Sequence, residues 1–420
     1  MVDLSRYNPQ WGEGYAHSFP KKRDMFFTLR EQVENPLIAG LIGLRRTGKT
    51  IILKQLMDDL IEQGIPRHRI LYYSFDDDIV PIKEIFQDYI TRVGVDIEKM
   101  DRTYVFLDEV QKLDNWQNQI KFYYDAYRNI KFFVSGSSSL FLRKKAEESL
   151  AGRIFLFQLP VLSFREFLIL KDENGLLKNP DLVREDMMKQ TQFYMRRQFP
   201  ELVTSNEDFI ELYIGSIINK IVFEDLPKVF PIEYDDALKR LIGIMANNPG
   251  IITDYETMSN EIGLSRKTLS NYLSYLERGF VLQKCYNFSR NRLTSEKKMK
   301  RLYLSNTTFV LTTPEAPEIG KVVENLVLNA TGARFFWRLG NKEVDAVVIE
   351  NDVKLIPIES KFKSRVSKKD IGGLLSFMKR FDVDRGIVVT KDLEESRDYE
   401  GKKIDLVPLW KWLLSISGNR

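Results

Sequence analysis

The sequence predicts an α/β protein in which a parallel sheet flanked by helices comes first and two smaller folds follow. In the N-terminal part, short apolar runs alternate with helical patterns, and this alternation favours parallel strands joined by crossover helices. The runs with strand character are 37–42, 69–75, 103–109 and 131–137. Later in the chain, residues 235–278 have the pattern of three helices and residues 343–361 that of a β-hairpin, which indicates two further folds.

Length and composition predict a soluble protein of several domains. The chain has 420 residues, and 43% of them are hydrophobic, which is enough to form packed cores. Its one cysteine, Cys285, rules out an intrachain disulfide, and the longest apolar run is too short to cross a bilayer. The first residues show no signal-peptide pattern. We therefore expect a cytoplasmic protein with no membrane association.

The first strand leads directly into residues 43–50, which have the sequence pattern G-x-x-x-x-G-K-T. This is the Walker A pattern of P-loop nucleotide-binding proteins, in its required setting between a strand and a helix. The two glycines let backbone N–H groups point at phosphates, Lys49 can neutralise those phosphates, and the Thr50 hydroxyl can bind Mg²⁺. ATP and Mg²⁺ are therefore the predicted ligands. The predicted nucleotide-binding residues are Gly43, Leu44, Arg45, Arg46, Thr47, Gly48, Lys49 and Thr50.

Residues 103–109 supply the second element of such a site, a hydrophobic strand that ends in two acids. Asp108 is placed to hold the Mg²⁺ shell, as a Walker B aspartate does. Glu109 is placed to orient or deprotonate the attacking water. The pair therefore predicts an enzyme that hydrolyses ATP, with Lys49 and Glu109 as catalytic residues.

Two further groups could complete the catalytic site. The strand 131–137 ends in hydroxyls, and either Ser135 or Ser137 could sense the γ-phosphate. Arg143 or Arg153 could act as an arginine finger, supplied by a neighbouring subunit of a homo-oligomer. A serine-rich turn and ordinary surface ion pairs would explain the same residues.

Taken together, these motifs resemble the AAA-type ATPases of archaea and bacteria that carry a C-terminal domain of unknown function. The resemblance covers roughly residues 20 to 390. It is carried by residues 43–50, by 107–111 with Trp116 close behind, by the serine stretch 135–139, and by Ala151-Gly152-Arg153 leading to 162–167. It implies an ATPase core, a winged-helix segment and a nuclease-like C-terminal fold, without a settled biological role.

Residues 231–305 have the pattern of a winged helix-turn-helix. The residues predicted to face DNA from its recognition helix are Arg266, Lys267, Ser270 and Asn271. Although the formal net charge is only +4, basic residues crowd the region 266–369, which is typical of a surface that contacts a phosphate backbone. They include Arg290, Arg292, Lys297, Lys298, Lys300 and Arg301. Double-stranded DNA is thus a predicted partner, and a protein-binding winged helix or a plain solvated surface stays open.

The C-terminal hairpin carries acids and a lysine in the pattern of a PD-(D/E)xK nuclease. The predicted nuclease residues are Glu324, Asp345, Glu359 and Lys361. Two carboxylates could hold Mg²⁺ against a phosphodiester while the lysine stabilises charge or activates water. A solvated hairpin or an inactive nuclease fold would give the same pattern. Pro357 lacks a backbone N–H, which predicts an edge position or a bulge at that point of the strand.

The predicted domains are an ATPase domain at 1–163, a helical connector at 164–230, a winged helix at 231–305 and a nuclease-like domain at 306–420. The first functional hypothesis is an AAA-type ATPase that couples hydrolysis to DNA binding or remodelling. The alternatives are an ATP-dependent nuclease and a nucleotide-gated signalling scaffold that binds protein partners.

Overall fold

The computed structural model of the chain divides into two compact units, Met1–Pro160 and Val161–Arg420. It describes residues 3–136, 149–291, 295, 299–312, 317–351 and 353–416. The predicted domain boundary after residue 163 lies close to this division. The two later predicted boundaries, after residues 230 and 305, fall inside the second unit.

The described part of the first unit is built on a five-stranded sheet in which every pairing is parallel. Its strands are β1 (Ile38–Ile42), β2 (Ile70–Ser74), β3 (Thr103–Asp108), β4 (Ile130–Gly136) and β5 (Ile154–Gln158). They are arranged in the order β2-β3-β4-β1-β5. The predicted parallel sheet is therefore confirmed. Because β4 lies between β1 and β3, the carboxyl ends of these three strands adjoin at one edge of the sheet.

Helices cover both faces of this sheet, as a parallel sheet requires. Every residue of β1, β3 and β4 is buried. Aromatic residues of neighbouring strands pack inside it, with the rings of Phe106 and Phe133 stacked at 4.9 Å between centroids. The α-helices formed by the described residues of this unit are α1 (Leu4–Tyr7), α2 (Asp24–Arg30), α3 (Lys49–Glu62), α4 (Ile82–Val93) and α5 (Trp116–Ala126).

In the described part of the second unit, nine strands form one mixed sheet in the order β13-β14-β12-β11-β10-β9-β7-β8-β6. They are β6 (Ile251–Ile252), β7 (Leu282–Asn287), β8 (Lys300–Leu304), β9 (Phe335–Leu339), β10 (Lys342–Glu350), β11 (Lys354–Lys361), β12 (Arg385–Thr390), β13 (Glu395–Tyr399) and β14 (Lys402–Pro408). Parallel pairing of β7 with β9 joins the β6–β8 strands to the C-terminal strands. The regions predicted as a winged helix and a nuclease-like fold thus share a single sheet.

The helices of the second unit pack around this sheet and in the region before it. Where the structure describes this unit, the α-helices are α6 (Phe164–Leu170), α7 (Arg184–Arg196), α8 (Glu207–Lys220), α9 (Asp235–Asn247), α10 (Tyr255–Ile262), α11 (Arg266–Arg278), α12 (Thr307–Val310), α13 (Ile319–Thr331), α14 (Gly372–Phe381) and α15 (Leu409–Ile416), and a π-helical turn, Ile221–Asp225, follows α8. In the part of the chain that the structure describes, no helix is long and apolar enough to cross a membrane.

Helices α10 and α11 are two of the three helices predicted within residues 235–278, and a short turn joins them. Gly263 ends α10 in the left-handed conformation with φ of 77°, where glycine is favoured. Ser265 caps α11 by accepting a hydrogen bond of 3.1 Å from the Thr268 N–H. One face of α11 buries Leu269, Tyr272, Leu273 and Leu276. The opposite face leaves Arg266, Lys267, Ser270 and Asn271 exposed.

The predicted edge position of Pro357 is wrong. Its strand β11 is interior, since it pairs with β10 on one side and β12 on the other. Pro357 lies opposite Val347, and the pairing with β12 begins one residue later at Ile358. The missing N–H therefore falls just before the second ladder starts, so it removes no hydrogen bond there. The irregularity nearby lies in β10, between Val344 and Val347.

Candidate functional site

The loop between β1 and α3 has a backbone that only glycine accommodates at two positions. Gly48 adopts φ of 97°, in the left-handed region that glycine favours. A Cβ at Gly43 would collide with the carbonyl oxygen of Leu159. Arg46 also adopts a left-handed φ of 62°, although it carries a side chain. Such strain is concentrated at functional sites, and here it lies in the predicted phosphate-binding loop.

Lys49 spans this loop from its position at the start of α3. Its buried ammonium donates hydrogen bonds of 3.1 Å to the Gly43 carbonyl and 2.9 Å to the Leu44 carbonyl. The Thr47 hydroxyl also donates to the Leu44 carbonyl, at 2.9 Å. The ammonium and the N-terminus of α3 therefore concentrate positive charge at the loop, which suits a bound phosphate group.

Asp108 forms the acidic side of the site at the end of β3. One carboxylate oxygen, Oδ2, accepts hydrogen bonds from the Thr50 hydroxyl at 2.6 Å and the Tyr72 hydroxyl at 3.0 Å. The other, Oδ1, accepts one from the Ser135 hydroxyl of β4. Burial and the neighbouring Asp108 raise the pKa of Tyr72 far above its ordinary value, so this hydroxyl remains a neutral donor.

The residues present fit a magnesium ion that is held together with a nucleotide. Mg²⁺ prefers oxygen ligands and is usually held by one or two carboxylates plus substrate phosphates and waters. The adjacent Thr50 hydroxyl and Asp108 carboxylate provide such oxygens. Among the described residues, no group of three or more His, Cys, Asp or Glu side chains could hold a metal ion without other ligands.

Glu109 leaves β3 through a strained turn. It adopts a left-handed φ of 53° and is buried. Its carboxylate accepts a hydrogen bond from the Gln111 side-chain amide, and its N–H donates to the Ser135 hydroxyl at 3.3 Å. Ser135 thus contacts the carboxylate of Asp108 and the backbone N–H of Glu109. The sequence interpretation assigned no role at the site to Tyr72 or Gln111.

Of the remaining predicted catalytic residues, Arg153 is the one that the structure describes. Arg153 forms an ion pair of 2.9 Å with Asp125 of α5, and this hydrogen bond raises the pKa of Arg153. That is the surface ion pair which the sequence left open as the alternative to an arginine finger. Ser137 and Arg143 lie outside the described residues.

Arg23 is a site residue that the sequence interpretation missed. It is buried, and its guanidinium donates a hydrogen bond of 2.7 Å to the Thr47 carbonyl in the phosphate-binding loop. That carbonyl belongs to the same peptide unit as the Gly48 N–H. In a trans peptide the two groups point in opposite directions, so a carbonyl held by Arg23 also fixes the direction of the Gly48 N–H.

The segment that carries Arg23 is held along α3. The Gln55 side chain donates hydrogen bonds of 2.9 Å to the carbonyls of Phe19 and Lys21. His17 contacts the Asp58 carboxylate at 2.8 Å. No short motif connects residues 17–23 with the loop at 43–50, so this contact could not be predicted from local patterns.

In the second unit, the four predicted nuclease residues come together. Glu324 lies on α13, Asp345 on β10, and Glu359 and Lys361 on β11. Lys361 pairs with Glu359, and Asp345 Oδ2 accepts a hydrogen bond of 2.8 Å from the Ser360 N–H. All three acids are buried. We call this group, with the residues that pair with it, the carboxylate cluster.

Burial dominates the electrostatics of the carboxylate cluster. Burial, reinforced by Glu324, raises the pKa of Asp345 to about 6. The pKa of Glu359 also rises well above its ordinary value, because Glu359 is buried beside Asp345. Burial opposes the charge on Lys361, but the two acids outweigh it and raise the pKa of Lys361 to about 12.

Arg301 of β8 lies inside this cluster, where the sequence interpretation had not placed it. Its guanidinium contacts Glu343 at 2.7 Å, Glu324 at 3.0 Å and Asp345 at 3.9 Å. The residue is only 4% exposed. Its inclusion among the basic residues of a DNA-facing surface is therefore wrong.

The other basic residues of that region differ in their surroundings. Arg266 pairs with Glu256 at 2.5 Å, and Lys267 is exposed on the same helix. The Arg290 guanidinium donates to the Phe381 carbonyl at 3.3 Å. The Lys300 ammonium lies 5.0 Å from the centre of the Tyr286 ring. Arg292, Lys297 and Lys298 lie outside the described residues.

Comparison with known sequence families agrees with the geometry of the first unit. The profile described as "AAA domain" matches residues 35–168. Two profiles described as domains of unknown function, DUF8612 and DUF4143, match residues 188–313 and 319–412. The chain therefore has an AAA-type P-loop ATPase domain followed by two C-terminal domains of unknown function.

Relatives of similar length occur in an archaeon and a bacterium. The uncharacterized protein MJ1544 of Methanocaldococcus jannaschii is 24% identical over 400 residues, covering 90% of this chain and 88% of its own. An uncharacterized protein of Haemophilus influenzae is 24% identical over 402 residues, covering 91% and 95%. Neither name states an activity.

Solved structures with some similarity include AMPPCP-bound DnaA from Aquifex aeolicus and the S. cerevisiae Hsp104–ADP complex. The first is 15% identical with a TM-score of 0.27, covering 60% of this chain and 86% of its own. The second is 15% identical with a TM-score of 0.33, covering 66% and 53%. Similarity this low adds nothing to the assignment, which rests on the loop, the strand-end acids and the AAA profile.

Proposed function

We propose that this protein is a Mg²⁺-dependent ATP hydrolase that couples turnover to the binding or remodelling of double-stranded DNA. The observation that carries the hydrolase proposal is the convergence of Thr50 of α3 with Asp108 and Ser135 at adjoining strand ends, beside the loop that Lys49 contacts. This arrangement combines a phosphate-binding loop, oxygen ligands for Mg²⁺ and a strand-end glutamate.

Each residue has a role that its position supports. Lys49 and the loop N–H groups bind the β- and γ-phosphates, while Thr50 and Asp108 hold Mg²⁺, which neutralises phosphate charge when it is bound. Glu109 positions or deprotonates the attacking water. Ser135 contacts both acids and is placed to report the γ-phosphate to them. Arg153 would serve as an arginine finger only in a homo-oligomer, after it leaves Asp125.

The DNA part of the proposal rests on α11. Its exposed face carries two cations and two hydrogen-bonding side chains, while its opposite face is anchored in the core. The N-terminal part of α11, which follows a short turn after α10, is the part that a winged helix presents to the major groove. Its cations would add a salt-dependent attraction to phosphates.

The DNA proposal is tested by measuring duplex binding by fluorescence anisotropy across a range of salt concentrations. Lys267→Gln should bind the duplex more weakly than wild type. Its slope of log K against log salt should be smaller in magnitude by about one unit. Lys239→Gln is the matched control, because Lys239 is an exposed lysine on the neighbouring helix α9. Equal losses in the two variants would assign the effect to net charge alone.

A second outcome would redirect the proposal. If the protein hydrolyses ATP but binds no duplex even at low salt, the DNA part fails and the hydrolase part remains. The exposed face of α11 would then be a protein-binding surface. The chain would be a nucleotide-gated scaffold in which hydrolysis resets a conformational state.

A further inference from the structure

The carboxylate cluster has the acids of a metal-dependent nuclease, so its fit to a divalent cation can be tested oxygen by oxygen. Glu324 Oε1 accepts hydrogen bonds from the Tyr303 hydroxyl at 2.7 Å and from Arg301 at 3.0 Å. Its other oxygen, Oε2, pairs with the Lys321 ammonium at 2.8 Å. Both oxygens of Glu324 are therefore already bound by cationic or hydroxyl donors.

The other two acids are also largely engaged. Asp345 Oδ2 accepts a hydrogen bond from the Ser360 N–H, and Asp345 Oδ1 lies 3.9 Å from the Arg301 guanidinium. Glu359 Oε1 accepts a hydrogen bond from the Lys361 ammonium, and Glu359 Oε2 is buried without a partner among the described residues. Among these acids, Glu359 Oε2 has no partner and Asp345 Oδ1 has only the distant Arg301 contact, and no three acids of the described cluster could share a metal ion.

The charges in the cluster also leave little room for a divalent cation. The four carboxylates are Glu324, Glu343, Asp345 and Glu359. The cations paired with them are Arg301, Lys321 and Lys361. A metal ion at Asp345 would lie beside a guanidinium that cannot lose its charge, in a site where repulsion is weakly screened.

We propose that Arg301 takes the place of a divalent cation in this cluster, so that Glu324, Glu343 and Asp345 form an ion-pair centre with it rather than a nuclease metal site. The arginine comes from β8, whereas its partners lie on α13 and β10. The centre therefore links the β6–β8 strands to the C-terminal part of the same sheet. A planar guanidinium suits this role, because it presents several donors in fixed directions to different carboxylates.

The proposal is tested first on the unaltered protein without nucleotide. Mn²⁺ binding, measured by the loss of the free-ion electron paramagnetic resonance signal, should be the same for wild type and Asp345→Asn. Any weak binding at the P-loop is common to both proteins and cancels in this comparison. Wild type should also leave duplex DNA intact in the presence of Mn²⁺ or Mg²⁺.

A gain-of-function variant gives the second test. Arg301→Met should acquire one additional Mn²⁺ per chain, and Arg301→Met combined with Asp345→Asn should lose it again. Arg334→Met, which removes an exposed arginine before β9, should behave as wild type. Circular dichroism would establish that the variants keep their fold. Should Arg301→Met fail to fold, the comparison of wild type with Asp345→Asn still decides the matter.

Three results would overturn the proposal. The first is Mn²⁺ binding by wild type that weakens in Asp345→Asn. The second is metal-dependent DNA cleavage by wild type that Glu359→Gln abolishes, which would instead make this a working nuclease site. The third is a folded Arg301→Met variant that acquires no Mn²⁺ site. The P-loop ATPase proposal is unaffected by all three.

Discussion

The nucleotide site of the first unit and the carboxylate cluster of the second are assembled from similar parts. Both place buried acids on strands, at the end of β3 in the first and within β10 and β11 in the second, and both have a lysine close to those acids or to the adjoining loop. They differ in what neutralises the acids. Asp108 is surrounded by neutral hydroxyls of Thr50, Tyr72 and Ser135. The acids of the cluster are instead paired with Arg301 and two lysines.

The contrast shows that a motif predicts which residues meet, while their counter-charges determine what they can bind. A carboxylate held by neutral donors keeps its charge available for a metal ion. A carboxylate paired with a buried guanidinium has its charge already compensated, and removing the partner is costly. The following variants test this contrast, beginning with the one that should have the largest effect.

Glu109→Gln should lower ATP turnover by a factor of about 10² to 10⁴, because it removes a positioned general base. ATP affinity should stay close to that of wild type, since the phosphate-binding loop is unchanged. Phosphate release measures the turnover, and titration with a fluorescent ATP analogue measures the affinity. Glu98→Gln is the control, because Glu98 is an exposed acid of the same unit. Turnover unchanged in Glu109→Gln would remove Glu109 from the mechanism.

Arg301→Met should reduce the free energy of unfolding by about 3–5 kcal/mol, because it leaves buried carboxylates without their cation. Denaturant unfolding followed by circular dichroism measures the loss. Arg334→Met should change the value little, since Arg334 is exposed. A loss from Arg301→Met as small as that from Arg334→Met would mean that the ion pairs of Arg301 contribute nothing to stability.

Arg23→Gln should weaken ATP binding by about tenfold, which is the size expected when one hydrogen bond from a charged donor is lost. The Gly48 N–H loses its fixed direction, so the dissociation constant should change more than the turnover at saturating ATP. Lys22→Gln is the matched control, because Lys22 lies on the same segment and contacts Asp59 instead, at 3.8 Å. Equal affinities in all three proteins would show that the contact between Arg23 and the loop is not needed.

Lys131 should give an effect that depends on pH. Burial lowers the pKa of this lysine to about 7, and its ammonium donates to the Asn35 carbonyl at 2.9 Å. Between about pH 7 and pH 10 the unfolded chain binds more protons than the folded one, so Lys131 makes stability rise with pH in that range. Below pH 7 its contribution to the slope disappears.

The measurement is the free energy of unfolding of wild type and Lys131→Met at several pH values. The difference, wild type minus variant, should grow by up to about 1 kcal/mol per pH unit above pH 7. Lys121→Met, on the surface helix α5, should show no such trend. A constant difference across this range would contradict the lowered pKa.

Much of the local structure could be predicted from the sequence. The apolar run before residue 43 is β1, the pattern at 266–278 is α11, and the acids at 108 and 109 stand at the end of β3. These features depend on neighbouring residues: side-chain periodicity, capping groups and glycines whose backbone angles other residues avoid. The order of residues along the chain contains that information directly.

Sequence patterns were enough to predict the P-loop, its strand-end acids, two helices joined by a short turn, and a hairpin with acids and a lysine. Only the tertiary structure placed Arg23 against the Thr47 carbonyl, carried one sheet through two predicted domains and buried Arg301 among three carboxylates. Each of these contacts joins residues more than twenty positions apart, and a single sequence has no local pattern for such pairs. They depend on which strands become neighbours, and that is decided by packing of the whole unit.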